Sequence, residues 1–420
     1  MNKRARRIVS AILVMGFFCV APLSMHVFAQ DPAPSTAGTR SELIDQQRKE
    51  KAGDPPATEP NRAERTLEKY IGDDPLNKYM GGVPGLRLIL GGLPSGGGFA
   101  LGPEYYRTDL AQGQMHFRLY ASGSQKLWYV IETELRFPHL AGNFLDLDIQ
   151  GRRLDANSMD YYGPGPDSNK AHRTDYRLED NTLDVSLAFK PIRRYVSLGL
   201  DAGYLWLNTG PGQSSLYAST EEQFTPDLTP GIDKQTDYFR AGAFFDVDSR
   251  DEPKDPHSGT HFRIELDRFS DRKFDQYSFR QMESSIDQYI PFFNEKRVIA
   301  LHARSVLTYP FGGNSIPFYM QPTLGGPSDL RGYRRYRFYD NNSFVMNGEY
   351  RWEVSTLLDA ALFADAGKVF HRDGDFDLQH LESDAGFGFR FKIRHALAFR
   401  IDTAFSHEGY GLWLTFDPIF

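Results

Sequence analysis

An arginine and two carboxylates, Arg331, Glu349 and Asp365, carry the most specific chemistry in this sequence. A guanidinium is always charged and presents a planar fork of donors that a carboxylate matches bidentately. Taken out of water, it needs such partners. Arg331 stands in the run Asp329-Leu330-Arg331-Gly332-Tyr333, inside a polar segment from Phe311 to Asn342. Gly332 lets the chain turn sharply where a Cβ would clash. This is the chemistry of charge pairing, not of substrate turnover. Ser95 lacks the first glycine of a Gly-x-Ser-x-Gly elbow. His257 and His261 flank Ser258, but at a turn that enters a strand. The run His371 to Asp377 lacks the spacing and bidentate Glu of an EF-hand. No enzyme, metal or cofactor is expected.

The elements that must position the three residues follow from alternation. In one segment Val345, Asn347, Glu349 and Arg351 share a phase, opposite Phe344, Met346, Tyr350 and Trp352. In the next, Phe363, Asp365 and Gly367 oppose Leu358, Leu362 and Ala364. Period-two alternation is strand behaviour. One face is free of charge and the other is charged, which suits lipid outside and a wet lumen inside. Leu145, Leu147 and Ile149 opposite Asp146, Asp148 and Gln150 repeat the pattern, as do Leu397 to Phe405. A soluble sandwich alternates in the same way, so the choice rests on the connections and the N-terminus.

Residues 1–29 read as a secretory signal peptide: Lys3, Arg4, Arg6 and Arg7, an apolar run from Ile8 to Val20, and Val27-Phe28-Ala29 before the cut. An uncleaved anchor is the alternative, although the run is shorter than the ~20 residues a span needs. The sole cysteine, Cys19, falls in this run, so the mature chain has no disulfide. Without residues 1–29 the chain holds 44 Lys and Arg against 55 Asp and Glu, a net charge of −11. Such an acidic chain does not bind nucleic acid. Residues 30–81 are Pro- and charge-rich and read as a flexible periplasmic segment, with a short helix near Arg62–Met80. From 82 to 420 about sixteen strands are expected, an all-β transmembrane antiparallel barrel. Long connections at 154–174, 209–235, 310–342 and 368–383 follow odd strands and short ones follow even strands, with the longer turn 248–258 as the exception; this is the outer-membrane arrangement. Tyr161 to Gly165 reads as a rigid aromatic turn.

Leu330-Arg331-Gly332-Tyr333, Asn347-Gly348-Glu349-Tyr350-Arg351 and Phe363-Ala364-Asp365-Ala366-Gly367 occur in that order. Together they resemble the outer-membrane assembly and secretion barrels of the BamA/TamA and FhaC type, the bacterial surface antigen family. The resemblance implies a loop folded into the lumen and latched there by Arg331, Gly332, Tyr333, Glu349, Asp365 and Gly367. It covers the barrel only. Before Gly81 there is no strand–helix–helix–strand–strand pattern of a POTRA domain. The end of the chain, with Tyr410, Leu412, Leu414, Phe416 and Phe420 in one phase, resembles the targeting signal read by the barrel-assembly machinery. The implied function is outer-membrane assembly or translocation of polypeptide or lipid. The implied partners are outer-membrane lipid, the assembly machinery for the chain's own insertion, and a polypeptide or lipid client. A passive porin-like or structural surface barrel without a client is the alternative.

Overall fold

The computed structural model describes residues 84–94, 96–192, 194–253, 255–293, 296–393 and 396–416. The expected signal peptide, the segment 30–81 and Phe420 lie outside the described residues. The wall begins with β1 (Leu86–Leu90), β2 (Ala100–Leu110), β3 (Met115–Ser124), β4 (Tyr129–Leu140), β5 (Leu145–Tyr161) and β6 (Thr174–Ile192). It continues through β7 (Val196–Pro211), β8 (Asp237–Asp248), β9 (Gly259–Asp271), β10 (Phe279–Phe292) and β11 (Arg297–Pro310). The two-residue strands β12 (Thr323–Leu324) and β13 (Phe338–Tyr339) pair with each other in the next connection. The wall closes with β14 (Asn342–Ser355), β15 (Leu358–Phe370), β16 (Glu382–Ile393), β17 (Ala396–Ser406) and β18 (Gly409–Thr415). Sixteen strands form one sheet, each antiparallel to the next, with β11 passing directly to β14.

The burial pattern is that of a membrane wall. On β7, Leu200 is 65% exposed while its neighbour Asp201 is only 9% exposed. On β6, Leu183, Val185, Leu187 and Phe189 all face outward. Apolar side chains outside and carboxylates inside reverse the arrangement of a soluble protein, and a barrel in lipid is the architecture that requires it. The chain is an all-β transmembrane antiparallel barrel. Between β18 and β1 no ladder is present among the described residues. The two edges still approach each other: the rings of Phe99 and Phe416 pack edge-on at 6.3 Å.

The long connections shrink because the strands outrun the apolar band. β5 continues to Tyr161, β7 to Pro211 and β15 to Phe370. Beyond the band, Leu154, Ala156, Met159, Tyr161, Tyr176 and Tyr238 are buried and pack with Ile316, Phe318 and Tyr339 of the β11–β14 loop. The largest apolar core therefore sits at the long-loop end. Tyr161 alone makes edge-on contacts with Phe224, Phe318 and Tyr339. The sequence reading of Tyr161–Gly165 as a turn misses this docking role. Tyr162 is buried as well, and the amide of Gly165 donates to the Tyr339 carbonyl at 2.7 Å.

Candidate functional site inside the barrel

The loop 311–341 turns into the barrel because part of it is apolar. Leu324, Leu330, Tyr333 and Phe338 form a small core with Val345 of β14 and Val369 of β15. The turn before the tip is fastened by Asp329, whose Oδ1 accepts the amides of Gly325 at 2.8 Å and Leu330 at 2.6 Å. Gly325 has φ +114°, and a Cβ there would lie 2.3 Å from the Arg334 carbonyl.

Arg331 is completely buried. Its Nε and Nη2 donate to the two oxygens of Asp365, both at 2.8 Å, which is the bidentate fork geometry. Its Nη1 donates to Glu349 at 2.9 Å. The guanidinium carbon lies 3.3 Å from the ring centre of Phe363, so the cation also rests on an aromatic face. Burial opposes the charge of Arg331. The bonds to Asp365 and the charges of Asp365, Glu349 and Asp402 outweigh it and hold the guanidinium above its usual pKa.

Strand register supplies further groups. Glu349 also accepts from Arg390 of β16, at 2.9 and 2.7 Å, and from Arg351 at 2.8 Å. Arg390 and Arg400 stand directly opposite each other on β16 and β17. Like charges at that position repel, but Asp402 binds both, with Arg390 Nη1 at 2.6 Å. Asp402 reaches this position because it lies flat over Gly388, where a Cβ would be 2.0 Å from its Oδ1. Arg400 also donates to the Pro327 carbonyl at 2.7 Å. Sequence phase placed Arg400 and Asp402 on the charged face. The level at which they meet Arg331 depends on register, which a single sequence does not display.

The backbone of the tip is held too. Ser406 of β17 donates to the Gly332 carbonyl at 2.8 Å. The Trp413 indole of β18 donates to the Arg331 carbonyl at 2.6 Å. Tyr333 donates to Glu382 at 2.7 Å and lies 3.1 Å from His407 Nδ1. Further out, Arg337 pairs with Glu408 at 2.8 Å and with Ser168. The loop thus touches β14 through β18. Gly332 is needed for proximity, not for a left-handed turn: a Cβ would lie 2.5 Å from Asp384 Cβ and 2.9 Å from Ser406 Cβ. Gly367 meets the same limit, 2.7 Å from the Phe344 carbonyl. Gly332→Ala is therefore expected to push the tip off the wall at about 1–3 kcal/mol, as overpacking does. Faster proteinase K cleavage within 311–341 would report it, and an unchanged rate would refute it.

The other candidates fall elsewhere. Tyr410, Leu412 and Leu414 point outward from β18, and Phe416 packs on Phe99. His261 bridges Asp246 at 3.0 Å and Asp287 at 3.1 Å in the wall, so its partners are carboxylates rather than a serine. Asp377 is bound by Lys368 at 2.6 Å. Among the described residues no cluster of His, Cys, Asp or Glu is arranged to hold a metal ion.

Residues 118–410 match the model of the Omp85 superfamily domain. Among solved structures, the chain is similar to BamA from Haemophilus ducreyi lacking POTRA domains 1–3, with TM-score 0.57 and 16% identity, over 78% of this chain and 67% of that one. It is also similar to CdiB from Escherichia coli, with TM-score 0.53 and 15% identity, over 79% of this chain and 60% of that one. At these identities the likeness concerns the fold. No curated protein matches in sequence.

Proposed function

Because this chain belongs to the Omp85 superfamily of outer-membrane barrels, we propose that it serves outer-membrane assembly or the passage of polypeptide or lipid, with the Arg331 loop as an internal latch. The observation that carries the reading is a fully buried cation shared between carboxylates of two wall strands. A charge buried this way is costly unless its geometry is kept, so the loop holds one arrangement of β14 and β15 rather than wandering in the lumen. The mature chain starts after residue 29, the segment 30–81 is periplasmic, and the long loops face outward.

The seam is where a client would engage. β1 has five residues, and its edge is not laddered to β18 among the described residues. Unpaired strand edges accept further strands by β-augmentation. Photo-crosslinkers at Leu88 and Leu414, in native outer membranes, test this. Specific polypeptide adducts are expected, and their masses would name the client. Lipid and self adducts alone, with a steady channel in planar bilayers that survives Arg331→Ala, would replace the proposal with a passive barrel.

A further inference from the structure

The outer wall carries a polar pocket that neither the lumen site nor the seam uses. Its position follows from register. Arg153, Asn181, Trp206 and Asp237 lie side by side on β5, β6, β7 and β8. The next outward residues toward the short-turn end are Gly151, Leu183, Tyr204 and Phe239. Below Leu183 follow the exposed Val185, Leu187 and Phe189. The row thus stands directly above the apolar band, on the lipid side, at the long-loop end. Lys273 from the β9–β10 connection and Gln235 from the β7–β8 loop complete a cavity of about 330 Å³. That is the headgroup layer, where Trp and Tyr mark the interface.

Its chemistry is specific. Among the described residues the hydrogen bonds of Arg153 go to neutral partners, Tyr129 Oη and Asn181 Oδ1, both at 3.2 Å. They hold the guanidinium in place, with the carboxylates of Glu179 and Asp155 close enough to act on its charge. Lys273 stands nearby, paired with Asp237 at 2.8 Å. Trp206 is 44% exposed and offers an apolar face, supported by Tyr204 at 4.6 Å. Glu179 and Asp237 supply acceptors; Asn208, which donates to Glu179 at 2.6 Å, adds an amide. A bare phosphate would use the cations and leave the acceptors and the ring idle. An acyl chain would use the ring alone and leave the cations and acceptors idle.

We propose that this pocket binds the phosphorylated sugar headgroup of an outer-leaflet glycolipid, with Arg153 and Lys273 on phosphate, Trp206 against the sugar face and the carboxylates on its hydroxyls. The acyl chains then run down the wall over Leu183, Val185 and Leu187. The assignment to the outer leaflet rests on the outward orientation of the long loops proposed above.

The test is native mass spectrometry of the full chain in detergent, titrated with lipid A, with its dephosphorylated form and with phosphatidylethanolamine. Lipid A should give the dominant adduct. Arg153→Ala should weaken its binding about fivefold, and Arg153→Ala with Lys273→Ala about 25-fold, at roughly 1 kcal/mol per interfacial cation. Trp206→Ala should weaken lipid A and the dephosphorylated form alike. Unchanged heat-modifiable migration on gels confirms that each variant is folded. Equal binding of all three lipids, or undiminished lipid A binding by the folded double variant, overturns the site. Leu216→Cys, exposed in the 212–236 loop, separately tests orientation. An impermeant maleimide should label it on intact cells, and no labelling would remove the outer-leaflet assignment whatever the lipid titration gives.

Discussion

Arg331→Ala should abolish much of the barrel's resistance to heat and protease. The substitution removes both bonds to Asp365 and one to Glu349. Glu349 keeps Arg351 and Arg390, whereas Asp365 keeps no cation of its own, only the Asn347 amide at 2.8 Å and the backbone amide of residue 331 at 3.4 Å. A buried carboxylate deprived of its cation costs about 3–5 kcal/mol. The damage should therefore concentrate at Asp365, and Asp365→Asn added to Arg331→Ala should recover part of it. Arg331→Lys should not, because an ammonium lacks the fork that spans both carboxylates. The midpoint temperature of heat-modifiable migration, read for all four chains, checks this. If Arg331→Ala melts at the wild-type temperature and resists proteinase K equally, the latch has no structural role.

Glu349→Gln should be at least as damaging, although it barely changes shape. One carboxylate serves three guanidiniums, those of Arg331, Arg351 and Arg390. The amide keeps one acceptor oxygen and turns a donor toward a donor. Arg331, Arg390 and Arg400 would then rely on Asp365 and Asp402 for charge balance, and Arg351 on the more distant Asp255. The same range of about 3–5 kcal/mol applies as a lower bound, since more than one cation loses its partner. Glu349→Asp should rescue little, because the shorter side chain does not reach donors from the loop, β14 and β16 at once. The readouts are the fraction assembled in the outer membrane and the urea midpoint of the purified chain. Wild-type values for both would mean that the charges merely balance and add nothing to stability.

The wall was legible where each strand crosses the membrane, because lipid imposes period two without exception. β5 read correctly through Leu145, Leu147 and Ile149, with Asp146 turned inward, for that reason. Legibility ended where both faces of a strand become covered. Past Arg153, β5 buries Leu154 and Ala156 under the loops, and an irregularity between Ala156 and Met159 shifts its register. A shift of register moves side chains to the other face, so the periodic signal broke and the segment resembled a loop. The hairpin of β12 and β13 is two residues per strand, too short to show a period. At the site, the types of Arg331, Glu349 and Asp365 pointed to pairing. Arg390 and Asp402 lie 59 and 71 residues beyond Arg331, with nothing in the local pattern to single them out. Only cross-strand register sets them at the level of Glu349 and Arg331. The need for Gly332 was foreseen as a Cβ clash, and the structure supplies what the Cβ would meet, Asp384 and Ser406 on the wall.

The bond from the Trp413 indole to the Arg331 carbonyl has a consequence for the two edges of the sheet. Gly411 beside it leaves room for that carbonyl, which a Cβ would approach to 2.2 Å. The final strand is thereby pinned from inside to the same loop that grips β14 and β15. Among the described residues the first strand pairs only with β2, and it has a glycine-bearing bend, Gly91 and Gly92, at its end. One edge is a doorpost and the other a leaf. If the seam opens as proposed, the N-terminal hairpin is the side expected to swing outward, and a client would find its fixed template on the side of β18.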